Sequence, residues 1–160
     1  MDMAIIILDR TNCAICRKIL KSTDEALGFP AMFPNEADPL HLFNDAAIHG
    51  ACLLVHPLRP IIEKRLAEYR EKTGPGNRYC RVCGREILNP DDYLGLGHLT
   101  DEATSPLKPY NYAHFHRSCV RVWPDAPNVL SLLEIMVESG AWRGRGFQLL
   151  IKDLKGLLAK

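Results

Sequence analysis

The six cysteines and two of the six histidines form two sets with the same internal spacing. In the first set, Cys13-x-x-Cys16 is followed 33 residues after Cys16 by His49-x-x-Cys52. The second set lies 67 residues further along the chain and consists of Cys80, Cys83, His116 and Cys119. Three thiolates and one imidazole, delivered as two closely spaced pairs, match the donors and the count of a tetrahedral zinc site. The sequence therefore predicts two Zn²⁺ ions per chain and leaves no cysteine unused.

The similarity between the two sets extends beyond the ligands. A shift of 67 positions aligns residues 13–71 with residues 80–138 without a gap. Other identical pairs are Asp24/Asp91, Leu27/Leu94, Gly28/Gly95, Pro39/Pro106, Leu40/Leu107, Asn44/Asn111, Ala46/Ala113, Pro57/Pro124, Pro60/Pro127 and Glu71/Glu138. Self-similarity at a fixed period is typical of repeated structural units. We therefore expect two homologous zinc modules.

The chain length allows this organisation. A chain of 160 residues can hold two small domains, and a unit of about 65 residues buries so little surface that a bound metal often supplies the missing stability. The predicted domains are a first zinc module with its following helix at 1–75, a second at 76–143, and a C-terminal helix at 144–160.

The ligands require local elements that hold them in place. Each Cys-x-x-Cys pair is expected to form a tight turn. Each His-x-x-Cys pair is expected on one face of a short helix, because residues three apart lie on the same side of a helix. A proline five residues after the last cysteine ends that helix, and Asn44 and Asn111 are predicted as its N-caps.

Longer elements follow from apolar periodicity. Helical stripes are predicted over 61–71, 129–137 and 147–158, with the last packing back on the modules. The β-rich run Met3–Leu8 predicts a strand that leads into the first turn, and residues 73–77, with two glycines and a proline, predict a linker.

The cysteines could instead form disulfides, so the compartment matters. The amino terminus carries an acid at position 2 and only a six-residue apolar run, which is not the pattern of a signal peptide. No stretch approaches the roughly 18 apolar residues of a membrane span. We therefore expect a cytoplasmic protein without a membrane partner, in a reducing environment where thiols bind metal.

The order of turn, short β segment and ligand-bearing helix resembles the treble-clef zinc fingers, and the tandem arrangement is similar to the first half of a LIM domain taken twice. The resemblance rests on the eight ligands and covers residues 9–57 and 76–124. It implies a small α+β zinc-binding fold of two treble-clef-like modules, each followed by an amphipathic helix. The gap between the ligand pairs is longer than in LIM modules, and each unit has four ligands only. The family serves protein docking, nucleic-acid binding and, in one branch, nuclease catalysis.

The ligand count favours a non-enzymatic role. A catalytic zinc usually keeps three protein ligands and a water, whereas four ligands with several thiolates are typical of a structural site. The chain is therefore predicted to be a protein-interaction module or adaptor with no catalytic residues. Aromatic residues are enriched in binding hot spots, and Tyr93, Tyr112 and Trp123 are the interface candidates.

Two alternatives stay open. The first is nucleic-acid binding through a patch formed by Arg78, Arg81, Arg85, Arg117 and Arg121. It is disfavoured because the formal net charge is only +1, whereas phosphate binders usually carry a basic excess. The second is a treble-clef nuclease in which His114 acts as the base, although the aligned residue of the first copy is Ala47. A hydrogen-bonded structural histidine is the simpler interpretation.

Overall fold

The first half of the chain is organised around one short antiparallel hairpin. In the computed structural model, which describes residues 4–159, strand β1 (Ala26–Gly28) pairs with strand β2 (Ala47–His49), and Leu27 lies opposite Ile48. A loop with a 3₁₀ turn at Pro39–Phe43 joins the strands. Helix α1 (Gly50–Leu54) begins directly after β2, and the longer helix α2 (Arg59–Thr73) follows.

The second half repeats this order. Strand β3 (Tyr93–Gly95) pairs antiparallel with β4 (His114–His116), which runs directly into helix α3 (Arg117–Val120). Helix α4 (Ala126–Glu138) corresponds to α2, and 3₁₀ turns lie at Pro90–Asp92 and Lys108–Tyr110. Each strand of the second hairpin is displaced by 67 residues from its counterpart in the first. The described part of the chain is thus a small α+β structure with two-stranded sheets and five helices.

Each half has its own apolar core. In the first, Ile48 of β2 packs with Leu20, Phe43 and Ile62, all of which are fully buried. In the second, the corresponding cluster includes Phe115, Val129 and Leu133. The paired strands and the helix that follows them therefore supply the interior in both cases.

Helix α5 (Arg145–Leu158) has no counterpart in the first half. Its residues Phe147, Ile151, Leu154 and Leu157 are buried in the second core. The Trp142 and Phe147 rings stack with centroids 4.0 Å apart, and Asp153 forms an ion pair with Arg117 of α3. The predicted C-terminal helix and its packing against the second module are confirmed, as are the stripes of α2 and α4.

The strand predicted over Met3–Leu8 is wrong for the residues that the structure describes; Met3 lies outside them. Residues 4–7 have no regular secondary structure and Leu8 begins a turn. One backbone hydrogen bond joins this segment to Phe29, from the Ala4 N–H to the Phe29 carbonyl at 3.3 Å. Without a continuous ladder, apolar β-branched residues alone do not make a strand, and the Ile5 side chain stays 85% exposed.

The contacts within the chain divide it into two compact units, with the boundary between Tyr69 and Arg70 inside α2. Helix α5 belongs to the second unit. The domain limits expected from the sequence, at 75/76 and 143/144, stay predictions. Across residues 4–159, every helix is either too short or too polar to cross a membrane.

Candidate metal centres

The first Cys-x-x-Cys pair lies in a tight turn closed by backbone hydrogen bonds. The Arg17 N–H donates to the Cys13 carbonyl at 2.9 Å, and the Cys13 N–H donates to the Lys18 carbonyl at 2.8 Å. This turn requires a left-handed residue, and Arg17 adopts it with φ of 63°. In the second unit glycine supplies the same conformation, at Gly84 with φ of 70°. The two Cys-x-x-Cys turns, called knuckles below, therefore share one backbone geometry. Glycine adopts it at a lower conformational cost than arginine does.

The histidine ligands lie at the junction between strand and helix. His49 is the last residue of β2 and His116 the last of β4, and both precede the first helical residue. Only Cys52 and Cys119 lie on a helix. The prediction that each His-x-x-Cys pair occupies one helix face is therefore wrong for the histidines, because sheet pairing with Ala26 and Tyr93 holds them extended.

The structure brings the eight predicted ligands together in two separate groups of four. Within each group the candidate ligand atoms all lie within 4.8 Å of one another. The groups are Cys13, Cys16, His49 and Cys52, and Cys80, Cys83, His116 and Cys119. The ligands are thus not exchanged between the two halves.

The distances within the groups fit a tetrahedral ion. Nδ1 of His49 lies 3.4 Å from Sγ of Cys16 and 3.7 Å from Sγ of Cys52. In the second group, Nδ1 of His116 lies 3.4 Å from Sγ of Cys83. Zinc bonds of about 2.3 Å to sulfur and about 2.0 Å to nitrogen, at tetrahedral angles, place sulfur and nitrogen about 3.5 Å apart. Both Cys₃His clusters could therefore hold a metal ion.

Backbone amides prepare one thiol of the first cluster for metal binding. Burial disfavours the thiolate of Cys13, but N–H groups of Cys16, His49 and Ile15 point at its sulfur and lower its pKa to about 6. In contrast, burial, together with hydrogen bonds that the Cys52 thiol donates to the Cys16 and Cys13 sulfurs, raises the pKa of Cys52 to about 11. A doubly charged cation can displace that proton, since metal binding and thiol deprotonation are linked.

The second cluster shows the same contrast between knuckle and helix. The backbone N–H and then the guanidinium of Arg85 lower the pKa of the Cys83 thiol to about 6. Burial raises the pKa of Cys119 to about 11, and hydrogen bonds that its thiol donates to the Cys83 and Cys80 sulfurs add to the effect. In both metal-free clusters the helix-borne cysteine is thus a thiol with a raised pKa.

Asn44 and Asn111 are not N-caps of the ligand helices, in contrast to the prediction. The Asn44 Oδ1 accepts a hydrogen bond from the Phe33 N–H at 2.8 Å. The Asn111 side chain accepts from Leu99 and Thr100 N–H groups and donates to the Thr100 carbonyl. Both amides therefore hold the long loop between the strands. The ligand histidine takes the N-cap position without a side-chain cap.

His114 is not a ligand but a buried residue with both ring nitrogens engaged. Its Nε2 donates to the Lys72 carbonyl at 2.8 Å, and its Nδ1 accepts from the Tyr93 hydroxyl at 3.0 Å. Burial lowers its pKa below the ordinary value. Tyr93 reaches this position by folding over Gly95, where any side chain would collide with its ring. In the first unit, alanines stand at the positions that align with Tyr93 and His114.

Two of the predicted patch arginines pack against neighbouring rings. The Arg78 guanidinium lies 5.1 Å from the Tyr93 ring centroid and donates to the Thr73 carbonyl. The Arg81 guanidinium lies 4.9 Å from the Tyr110 ring centroid and donates to the Pro109 carbonyl. Both guanidinium groups are therefore already engaged with aromatic rings and backbone carbonyls of the protein.

Two more patch arginines interact with charged partners. Arg117 pairs with Asp153, and Arg85 hydrogen-bonds the Cys83 thiol. Arg121 is exposed. The five side chains therefore do not stand together as a free phosphate-binding stripe.

Two of the three aromatic interface candidates are buried, which corrects the expectation drawn from the sequence. The Trp123 indole packs on Phe115 with ring centroids 4.3 Å apart and belongs to the second core. Tyr112 is buried and adopts φ of 58°. Tyr93 is half-buried against His114. Aromatic type alone did not distinguish core from surface.

One side-chain contact of the first cluster, between Asp24 and His49, was not predicted from the sequence. Asp24, which the sequence marked only as identical to Asp91 in the 67-residue alignment, places its Oδ2 3.2 Å from Nε2 of His49. Its identity with Asp91 in the repeat was the available signal, but Asp91 is exposed and lies in the first turn of a 3₁₀ helix.

A comparison with protein families, curated proteins and solved structures finds no match for this chain. The class of site therefore rests on the geometry itself: two Cys₃His clusters consistent with tandem zinc-finger modules.

Proposed function

We propose that the protein is a non-enzymatic zinc scaffold whose two Cys₃His sites hold binding surfaces for a protein partner. The observation that carries the proposal is that each cluster already contains four protein ligands, three of them thiols. Such a set occupies a tetrahedral zinc completely and leaves no position for substrate. The metal would act on folding and not on chemistry.

A treble-clef-like fold and an origin by duplication belong to the same proposal. In each unit the order is knuckle, hairpin and a short helix that carries the last cysteine. Knuckle and hairpin are also joined in the same way: the Ala14 N–H donates to the Ala47 carbonyl at 2.9 Å, and Arg81 and His114 repeat the bond at 2.8 Å. Equivalent hydrogen bonds at equivalent positions support two copies of one module.

A protein-binding surface is supported by apolar side chains next to the clusters. Val55 follows α1 directly and is 80% exposed, and its counterpart Val122, just beyond α3, is 71% exposed. Each valine lies three residues after the last cysteine ligand, so a bound metal would fix its position. Desolvating such groups contributes roughly 25 cal/mol per Å² of buried apolar surface. Nucleic-acid binding has less support, because four of the five patch arginines already have partners within the protein.

The binding experiment uses the zinc-loaded chain and two substitutions at the equivalent valines. We expect Val55→Asp and Val122→Asp to keep two zinc ions and the native fold but to weaken capture of a protein partner from cells of the source organism. Capture should survive nuclease treatment and moderate salt. Leu88→Asp, at a residue that is 80% exposed but distant in sequence from the last ligands, is the control. Capture that disappears with nuclease and falls steeply with salt would favour nucleic-acid binding.

The nuclease alternative is tested separately with His114→Ala. Plasmid DNA and single-stranded RNA are incubated with Mg²⁺ or Mn²⁺, and we expect no cleavage by the wild type. A cleavage activity that disappears in the variant, with zinc content and fold retained, would overturn the non-enzymatic assignment.

A further inference from the structure

The imidazole of the first cluster is held from behind by a carboxylate. Nδ1 of His49 faces the thiols, and its other nitrogen, Nε2, lies 3.2 Å from Oδ2 of Asp24. The same oxygen accepts the Lys21 N–H at 2.7 Å, which fixes the carboxylate in a turn. The neutral imidazole therefore carries its proton on Nε2 and presents the lone pair of Nδ1 to the metal. Such outer partners orient a histidine ligand and increase its basicity.

The second cluster differs at the equivalent position. Asp91 is exposed, and among residues 4–159 the His116 ring has side-chain hydrogen bonds only with sulfurs of its own cluster. The sequence explains the difference. Asn89 caps a 3₁₀ turn that begins with Pro90, and its Oδ1 accepts the Asp91 N–H at 3.0 Å. The first copy has Ser22 and Thr23 there, so its aspartate is free to turn towards the histidine.

The exposure of the ligands also favours faster metal loss from the second cluster. Cys83 of the second cluster is exposed, whereas Cys16 at the same place in the first is half-buried. A chelator therefore reaches the second cluster more readily.

We propose that Asp24 is a positioning residue for the metal ligand His49 and makes the first site the slower of the two to release zinc. Metal then leaves the chain in two steps, with the second site emptied first. This inference rests on the proposed occupancy of both clusters by zinc. It adds to that function a difference in lability between two sites with the same ligands.

The duplication supplies a matched pair of variants, Asp24→Asn and Asp91→Asn. Both remove one carboxylate charge at the same aligned position, and asparagine retains an oxygen that can accept the Lys21 N–H. The zinc-loaded chain is mixed with an excess of a chelator, and the amide signals of each knuckle are followed by NMR. We expect two phases in the wild type, with the first-site phase slower. Asp24→Asn should accelerate that phase about tenfold, the lower end of the range for lost outer partners, whereas Asp91→Asn should change neither phase.

Two further readouts separate positioning from a merely structural role. The Nε2 proton of His49, but not that of His116, should exchange slowly with water in the wild type and faster in Asp24→Asn. The Lys21 amide should stay protected in the variant. Loss of that protection together with faster release would assign Asp24 to the turn and contradict the proposal, as would equal release from the two wild-type sites. A chain that binds zinc at only one cluster would overturn the proposed function itself, and this inference with it.

Discussion

The backbone N–H of His49 donates a hydrogen bond to Sγ of Cys13 at 3.5 Å, although 36 residues separate them. His116 and Cys80 repeat the contact at 3.4 Å. In each unit the histidine at the end of the second strand therefore bonds the first sulfur of the knuckle through its backbone N–H, and its imidazole is the third candidate ligand. The hairpin thus assembles most of each cluster by backbone contacts, and the adjoining helix adds the last cysteine.

Replacing one ligand should unfold its own unit. We expect Cys83→Ser to lose one zinc ion and the amide-exchange protection of the second core. A structural zinc contributes on the order of 10 kcal/mol in small fingers, which is comparable to the roughly 5–15 kcal/mol stability of a whole domain. Zinc content and hydrogen exchange provide the measurements. Ser118→Ala, at an exposed residue next to ligand Cys119, should change neither; a Cys83→Ser chain that retains two zinc ions would contradict the assignment.

The loop asparagines should contribute to stability without contacting the metal. Asn111→Ala leaves the Leu99 and Thr100 backbone groups without their side-chain partner. Because an unsatisfied buried group costs about 1–3 kcal/mol, we expect a loss of that size in the free energy of unfolding of the zinc-loaded chain. Chemical denaturation measures it. Asn128→Ala, on the exposed side of α4, should be close to neutral, and equal effects of the two substitutions would show that the loop contacts contribute little.

Helix α5 offers a buried leucine and an exposed one five residues apart. Leu154 is 1% exposed in the second core, whereas Leu149 is 53% exposed. We expect Leu154→Ala to lower the free energy of unfolding by about 2–5 kcal/mol and Leu149→Ala to stay within about 0.5 kcal/mol. Denaturant titrations of both variants provide the test. A small effect of Leu154→Ala would mean that α5 is not an integral part of the second core.

Metal affinity should rise with pH. The pKa of the Cys52 thiol is raised to about 11, chiefly by burial, so this thiol is protonated near neutral pH in the metal-free chain and must lose its proton on binding. A hydrogen bond with Cys13 raises the pKa of His49, and protonated His49 also competes with the metal at lower pH. Affinity should therefore increase about tenfold per pH unit for each proton released. Competition titrations with a chromophoric chelator between pH 6 and 9, corrected for the chelator's own protonation, measure the slope; a flat profile would exclude binding through these thiols.

The two groups of candidate ligands and the helices were predictable because each depends on a local or repeated pattern. Val129 and Leu133 recur with the helical period, and both are fully buried on α4. The cysteine spacing identified the two groups because chelation by a knuckle needs only residues close in the chain.

The remaining features depend on tertiary partners that a local pattern does not specify. Asn44 has the chemistry of an N-cap, but the helix starts where β2 ends, so its amide bonds the Phe33 backbone instead. Trp123 was assigned to the surface by type and lies in the second core, where its ring packs on Phe115 and Tyr110. Asp24 and Asp91 are identical in sequence and differ in structure, because Pro90 and Asn89 change the preceding turn.

The metal content of the purified chain tests the central claim most directly. Native mass spectrometry, supported by elemental analysis, should give a mass that exceeds the apo chain by two zinc ions, with both lost on denaturation in the presence of a chelator. The matching thiol count should be six free cysteines after metal removal. One zinc ion or none, with the cysteines oxidised in pairs, would contradict two Cys₃His zinc sites.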